Sequence, residues 1–481
     1  MPVMPTKPPP LVRAAALCLL GAALFRPSAT AGPRRVSCAH AREAINASDA
    51  GDYQVLFRGL EDSSSLQAKD TLQFETLAGL ASAAWKGADM LEAMVIARRV
   101  EDRVSVPNTT VAGAVDAWQQ EWQAAGDASE AAAVAFRASG ASHAAAAAYG
   151  RAATYLLLSE RFSDHMSPPA LRVYNRSVAA FQSSLALGSS PCASVSIPYT
   201  GPNASSGASL HGYWCTSGTG SSPTPTVVMM TGYDGTAEML VGQFAGRSAA
   251  QGMSLLAFEG PGQGSVARFQ GLRFRPDWEE VVAQVVSWAA ASLPAFDQSR
   301  MALWGRSFGG YLAPRAFSAS AGFKALVADG GMADLYQTFV CGLPQHLQEL
   351  WYSAPQQFET YMEIGASTSL QLSFLRGFGS LGFGSRGFAD LYAAVEPYFL
   401  DASAFRGIAA RPVLVNNPSL DAIAGNQSSL FFGQLQRPLH RDSVLLGFPA
   451  ARGAALHCSV GSTSVASEAE LAWTARVLAA A

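Results

Sequence analysis

LWGRSFGGYLAPRAF, residues 303–317, holds a serine between two glycines: Gly305-Arg306-Ser307-Phe308-Gly309. The apolar run MALW (301–304) leads straight into it, and GYLAPRAFSAS (310–320) follows with helical spacing. A strand, a Gly-x-Ser-x-Gly turn and a helix are the three parts of a nucleophile elbow. The glycines leave room for a tight turn that strains the serine backbone and lifts its hydroxyl clear of the sheet. The helix start behind it favours developing negative charge. With 44 glycines in the chain the five-residue pattern alone is weak. The flanking strand and helix make it specific, so Ser307 is read as a nucleophile and not as a buried structural serine.

Working outward, short apolar runs recur between helical stretches: TVVMMTG (226–232), MSLLAFEG (253–260), MALWGRS (301–307), ALVADGG (325–331) and PVLVNNP (412–418). Runs of this kind are what central parallel strands look like. Amphipathic segments such as WEEVVAQVVSWAAASL (278–293) separate them, so strand and helix alternate in a doubly wound α/β sheet. SVSIPYT (194–200) and SLHGYWCT (209–216) alternate like an antiparallel pair. Cys192 and Cys215 flank that hairpin almost symmetrically, as a cross-strand disulfide or as two buried thiols.

A serine hydroxyl needs a base to become a nucleophile. In the α/β-hydrolase order the acid follows the serine and the histidine comes last. His457, in the small-residue loop GAALHCSVG before the final helical segment, is the expected base; His440 lies in the polar run RPLHRDS and is expected to face solvent. The acid should follow a late strand, and Asp421 comes just after PVLVNNP. Its role there is to orient the imidazole and stabilise its charged form, in preference to Asp401 or Asp442. An oxyanion hole needs two N–H donors: Phe308, next to the serine, and Tyr233, in the loop TGYDGTAEM. Asp234 in that loop reads from the residues alone as an N-cap for the following helix. GPGQG (260–264) lacks the lysine of a P-loop and the dinucleotide glycine spacing, so it is a turn after a strand. No Cys/His group has zinc spacing, and neither metal nor cofactor is expected.

Ahead of the sheet, residues 70–104, 111–125, 141–162 and 171–187 show apolar positions at helical spacing, rich in alanine. The expected organisation is a signal peptide at 1–31, a helical cap at 32–190 and an α/β domain at 191–481. AAALCLLGAALF (14–25) is an apolar core of signal-peptide length, and Ala29-Thr30-Ala31 supplies a cleavage pattern. Five of the seven asparagines begin Asn-X-Ser/Thr: Asn46, Asn108, Asn175, Asn203 and Asn426. Together these point to a glycoprotein of the secretory pathway or the extracellular space; a plastid transit peptide or a short anchor is the alternative. With 33 basic and 36 acidic residues and a formal net charge of −3, no field attracts nucleic acid or an anionic membrane. No stable membrane span is expected.

GYDGTAEM, FEGPGQG, FRPDWEEVV, GRSFGGYLAPRA, the strand-end Asp421 and GAALHC, taken together and in this order, resemble the α/β-hydrolases of the 2,6-dihydroxypseudooxynicotine hydrolase type and the fungal hydrolases that shorten polyketides. The resemblance spans residues 190–481 and, more loosely, the helical part around GRAATYLLLSERF. It implies an N-terminal helical lid, a Ser307–Asp421–His457 triad, and cleavage of a carbon–carbon bond beside a carbonyl. It also implies a catalytic contribution from Asp234 and admits a homodimer. The acid segment NNPSLDAIAGNQ and the Asp-Gly of the loop depart from the family pattern, which leaves the substrate open. The reading is a serine hydrolase of an apolar small-molecule carbonyl compound, either a diketone or polyketide-like substrate cut at C–C, or an ester. A non-catalytic binding protein on the same scaffold is the rival from another class.

Overall fold

The computed structural model describes residues 32–38, 56, 69–188, 190–218, 222–435 and 439–480. The expected signal peptide, Cys18 and the Asn46 sequon lie outside them. Among the described residues five α-helices come first: α1 (Lys69–Ala81), α2 (Met90–Val104), α3 (Val111–Ala138), α4 (Ser142–Ser159) and α5 (Pro168–Leu187). The periodic stretch 70–104 is therefore not one helix. It breaks at a 3₁₀ turn, Ser82–Trp85, and Lys86 takes φ 68°. Asp89 then caps α2 by accepting from the N–H groups of Leu91 and Glu92, a local hydrogen-bond pattern that competes with continuous helix.

Eight strands follow, in the sheet order β1-β2-β4-β3-β5-β6-β7-β8. They are β1 (Cys192–Pro198), β2 (Ser209–Cys215), β3 (Thr224–Met230), β4 (Ser254–Phe258), β5 (Phe296–Arg306), β6 (Phe323–Asp329), β7 (Val413–Pro418) and β8 (Val444–Phe448). β2 runs antiparallel to β1 and to β4; the other pairings are parallel. This is an α/β-hydrolase fold with an N-terminal helical region. β8 was not anticipated: VLLGF is an edge strand whose first four residues are partly or fully exposed, and it carries a weaker apolar signal than the central runs. Cys192 faces Cys215 in the β1–β2 register, and the two form a disulfide.

α6 (Ala237–Ala250) follows β3, and α7 (Gly264–Gln270) and α8 (Trp278–Ser292) lie between β4 and β5. α9 (Gly309–Ala319) follows β5. Between β6 and β7 the chain makes a long helical excursion. It comprises α10 (Leu335–Gly342), α11 (Gln345–Ser353), α12 (Pro355–Thr368), α13 (Leu370–Phe383), α14 (Phe388–Val395) and α15 (Ala402–Ala409). The helical cover thus has two sources, the N-terminal helices and this insertion. They share one core, in which Trp118, Trp122, Tyr155, Leu158 and Phe162 pack with Leu370 and Phe374. Burial of apolar side chains this large contributes on the order of 1.5–3 kcal/mol each. No helix among the described residues is long and apolar enough to cross a membrane.

Residues 32–38 lie along the insertion. Arg34 makes a two-pronged bond to Asp334 at 2.7 and 3.0 Å, its guanidinium sits over the rings of Tyr336 and Phe399, and Cys38 is disulfide-bonded to Cys341. Of the described cysteines Cys458 alone is free. Among the described sequons, Asn108, Asn175 and Asn203 are exposed, and at Asn108 and Asn203 the hydroxyl residue is not buried either. In the other two the hydroxyl residue is buried: Ser177 donates to the Ala153 carbonyl, and Ser428 is 2% exposed.

Candidate active site

β5 ends at Arg306, and Ser307 turns the chain with φ 60°, a left-handed conformation that a side chain adopts at a cost. The turn exists because of its glycines. A Cβ on Gly305 would collide with the Gly309 carbonyl, and one on Gly232 would stand 2.6 Å from the Phe308 nitrogen. The second clash shows how closely the loop after β3 presses on the elbow. The Ser307 N–H donates to the Asp329 carbonyl at 2.8 Å, which ties the turn to the end of β6.

Ser307 Oγ lies 2.9 Å from His457 Nε2, and His457 Nδ1 lies 2.8 Å from Asp421 Oδ2. Asp421 uses its other oxygen locally: Oδ1 accepts from the N–H groups of Ile423 and Ala424 at 3.0 and 2.8 Å. One carboxylate therefore organises its own turn and faces the imidazole. Burial works against a charged imidazole here. The Asp421 carboxylate is the first of several influences that oppose it, and together they hold His457 well above its ordinary pKa. Burial pushes the neighbouring Cys458 up, so it stands beside the histidine as a neutral thiol near pH 7.

The histidine loop carries two further left-handed residues, Cys458 at φ 50° and Ser459 at φ 54°. Arg306, the variable residue of the elbow motif, supports it. Its Nη2 donates to the Cys458 carbonyl at 2.6 Å, Nη1 to Gln243 Oε1 at 2.8 Å, and Nε is 3.6 Å from Asp329 Oδ2. Asn416 donates to both Asp329 and Glu470. Burial, then Asp329, pushes Glu470 well above the carboxylate range. The arrangement sets the Arg306 guanidinium against Asp329, and Asn416 links Asp329 to Glu470.

The loop after β3 places Tyr233 and Asp234. Among the described residues neither Phe308 nor Tyr233 gives its N–H to a protein acceptor. Gln263, from GPGQG, is 1% exposed and donates to the carbonyls of Thr231 and Gly232 at 2.6 and 3.2 Å. Asp234 is not a helix cap: Thr236 caps α6, accepting from the Met239 N–H, and Asp234 instead pairs with Arg161 of the N-terminal helices. Arg161 also donates to the Asp234 carbonyl at 2.9 Å and makes a fork to Glu75 at 2.8 and 3.0 Å. Neither Gln263 nor Arg161 was assigned a role from sequence. Gln263 has a local signal in the GPGQG turn; Arg161 is 73 residues from Asp234 and has none.

Aromatic rings pack around Phe308, the residue after the serine, and around Tyr233. Phe308 packs with Phe274, Tyr398, Tyr311 and Phe383, at centroid separations between 5.0 and 6.1 Å. Tyr233 packs with Phe339 of α10 and with Phe378 and Phe383 of α13, and its hydroxyl donates to the Leu375 carbonyl at 2.7 Å. Phe339, Leu375 and Phe383 are partly exposed within this apolar surround, the character of a wall for an apolar ligand.

A family described as "Esterase FrsA-like" matches residues 71–344. Hydrolase LUC6 of a Fusarium species is 30% identical over 341 residues, covering 68% of this chain and 77% of that protein. Hydrolase acrC of Aspergillus aculeatus is 30% identical over 68% of this chain and 78% of its own length. The 20-hydroxy-prefusarin hydrolase FUS2 of Gibberella moniliformis is 28% identical over 68% and 77%. Among solved structures, 2,6-dihydroxy-pseudo-oxynicotine hydrolase superposes with a TM-score of 0.61 at 18% identity, covering 83% of this chain and 96% of that one.

Proposed function

The chain belongs to the FrsA-like esterase family of α/β-hydrolases, and from that membership we propose that it is a serine hydrolase cleaving an apolar carbonyl compound through Ser307, His457 and Asp421. The observation that carries the reading is the unbroken hydrogen-bonded line from Ser307 Oγ through the imidazole to Asp421, at 2.9 and 2.8 Å. His457 takes the hydroxyl proton as Oγ attacks the carbonyl carbon. The oxyanion collects negative charge against the N–H groups of Phe308 and Tyr233. When the intermediate collapses, the bond to the leaving group breaks and the leaving group takes the proton from His457. Water, activated by the same imidazole, then releases the acyl group as a carboxylic acid. The test is covalent: a fluorophosphonate should add once to the wild type and not to Ser307→Ala.

The preferred substrate class is a 1,3-diketone or polyketide-like compound, whose leaving group departs as an enolate. Support comes from a relative named for the hydrolysis of 20-hydroxy-prefusarin and from the aromatic rings packed on Phe308 and Tyr233, which suit an apolar substrate. Asp234 takes part in this reading by assisting departure or protonation of the carbon leaving group. A simple carboxylesterase has an alkoxide leaving group that His457 alone can protonate. Asp234→Asn keeps a carbonyl oxygen for Arg161, so the loop keeps a partner while the charge is lost. It is expected to lower diketone cleavage at least tenfold more than hydrolysis of a p-nitrophenyl ester, measured side by side. Equal losses on both substrates would sink the carbon–carbon reading and leave the esterase.

The same reading places the protein in the secretory pathway or outside the cell. Support comes from two disulfides, which persist in oxidising compartments, and from the exposed sequons at Asn108 and Asn203. Protein from its native cells is expected to lose mass on treatment with a peptide N-glycanase and to show glycan at those two sites in peptide mapping. An unmodified chain recovered from plastids would overturn this placement.

A further inference from the structure

We infer that Arg161 is a positioning residue for the oxyanion loop, which makes the N-terminal helical unit part of the catalytic apparatus as well as its cover. The inference rests on the reading of Ser307 as nucleophile and of the Tyr233 N–H as an oxyanion donor.

Arg161 lies just beyond α4, and its side chain is 5% exposed. A buried charge is costly unless it is paired and hydrogen-bonded. Here Nε and Nη2 fork onto the Glu75 carboxylate of α1, Nη1 holds the Asp234 carbonyl, and Nη2 also reaches the Asp234 carboxylate. The rings of Phe374 and Phe378 lie 5.1 and 5.2 Å from the guanidinium carbon. They lower the local dielectric, which strengthens each contact. One arginine thus joins α1, the end of α4, α13 and the loop after β3.

The place it grips matters most. A peptide unit is planar and trans, so holding its carbonyl fixes the direction of the N–H on the other side. Gln263 holds the Gly232 carbonyl, and hence the peptide that carries the Tyr233 N–H. Arg161 holds the Asp234 carbonyl, the next peptide but one. Tyr233 is therefore clamped from both flanks, by the α/β domain on one side and by the helical unit on the other. Its hydroxyl is tied to α13 as well. An oxyanion donor works because it is aimed before the charge appears. Removing one flank lets the N–H swing without changing the walls that bind substrate.

The adjacent residue, Glu160, crosses the same seam. It accepts from Arg268 of α7 at 2.6 Å and pairs with His165 at 2.8 Å. That second crossing fixes the register of the helical unit independently, so loss of Arg161 need not release it.

The test follows saturable inactivation by a fluorophosphonate, because the phosphoryl oxygen occupies the oxyanion position and no natural substrate is needed. Three full-length forms are compared: wild type, Arg161→Lys, and the double variant Arg161→Met with Glu75→Gln, which leaves no orphaned charge at the buried Glu75 position, while the Asp234 carboxylate, 26% exposed, keeps access to water. The maximal inactivation rate is expected to fall about 10- to 100-fold in the double variant. It should fall less in Arg161→Lys, which keeps a charge but not the fork. The half-saturating concentration should stay within about twofold of wild type. Folded variants that inactivate at the wild-type maximal rate, with only a lower melting temperature, would reduce Arg161 to a structural pair and overturn the inference. An unlabelled wild type would overturn the Ser307 reading, and this inference with it.

Discussion

Ser307→Ala is expected to form no fluorophosphonate adduct and to turn over substrate on the order of 10⁴- to 10⁶-fold more slowly than wild type. What remains would come from binding and from the oxyanion donors. The protein should stay folded, because the hydroxyl's role in the structure is its bond to His457. A companion variant separates chemistry from strain. Ser307 sits at φ 60°, where a residue with a Cβ is penalised and glycine is not. Ser307→Gly should be equally inactive yet more stable than Ser307→Ala by about 1 kcal/mol, read from denaturant midpoints. A Ser307→Ala protein that still labels and turns over would end the nucleophile reading. An unlabelled, well-folded wild type would favour a binding protein on this scaffold.

Asp421→Asn should cost about 10⁴-fold in turnover, because an amide favours the wrong tautomer of the imidazole it faces. It should also move the pH dependence, and the sign can be worked out. A base acts only when neutral, so the rate rises with pH through the pKa of His457. In the wild type burial lowers that pKa and the Asp421 carboxylate leads the influences that raise it, which together prevail. Removing the negative charge takes away the largest influence that opposes burial, so the rising limb should shift to lower pH while the plateau falls. The measurement is the pH dependence of fluorophosphonate labelling in both proteins. A limb that stays in place would mean that another carboxylate sets the histidine; buried Asp329, which also favours the charged imidazole, would then be the group to substitute.

The elbow, the five apolar strands and the order serine, acid, histidine were legible because each is a local pattern. A run of apolar residues bounded by glycines marks a buried strand wherever it lies, and Gly305 and Gly309 mark a turn that only small residues permit. Other features carry no such local pattern, for equally physical reasons. The stretch 70–104 keeps helical periodicity through a break that Asp89 and a left-handed Lys86 impose. β8 is half exposed and offers little pattern. The helices of 335–409 look like ordinary amphipathic segments, and nothing in their spacing says that they carry Phe339, Phe378 and Phe383 to Tyr233.

By itself, then, the sequence determined the α/β class, the strand–turn–helix at Ser307 and which histidine and aspartate lie where such a chain can use them. The tertiary structure alone decided the distances among them. It also decided that Arg306 braces the histidine loop from 152 residues away, that Arg161 reaches Asp234, and that Cys38 is bonded to Cys341, 303 residues on. The physical reason is range. Backbone preference and burial period act over a few residues and are written where they act, whereas a buried charge or thiol finds its partner only after the sheet and its two helical covers have packed.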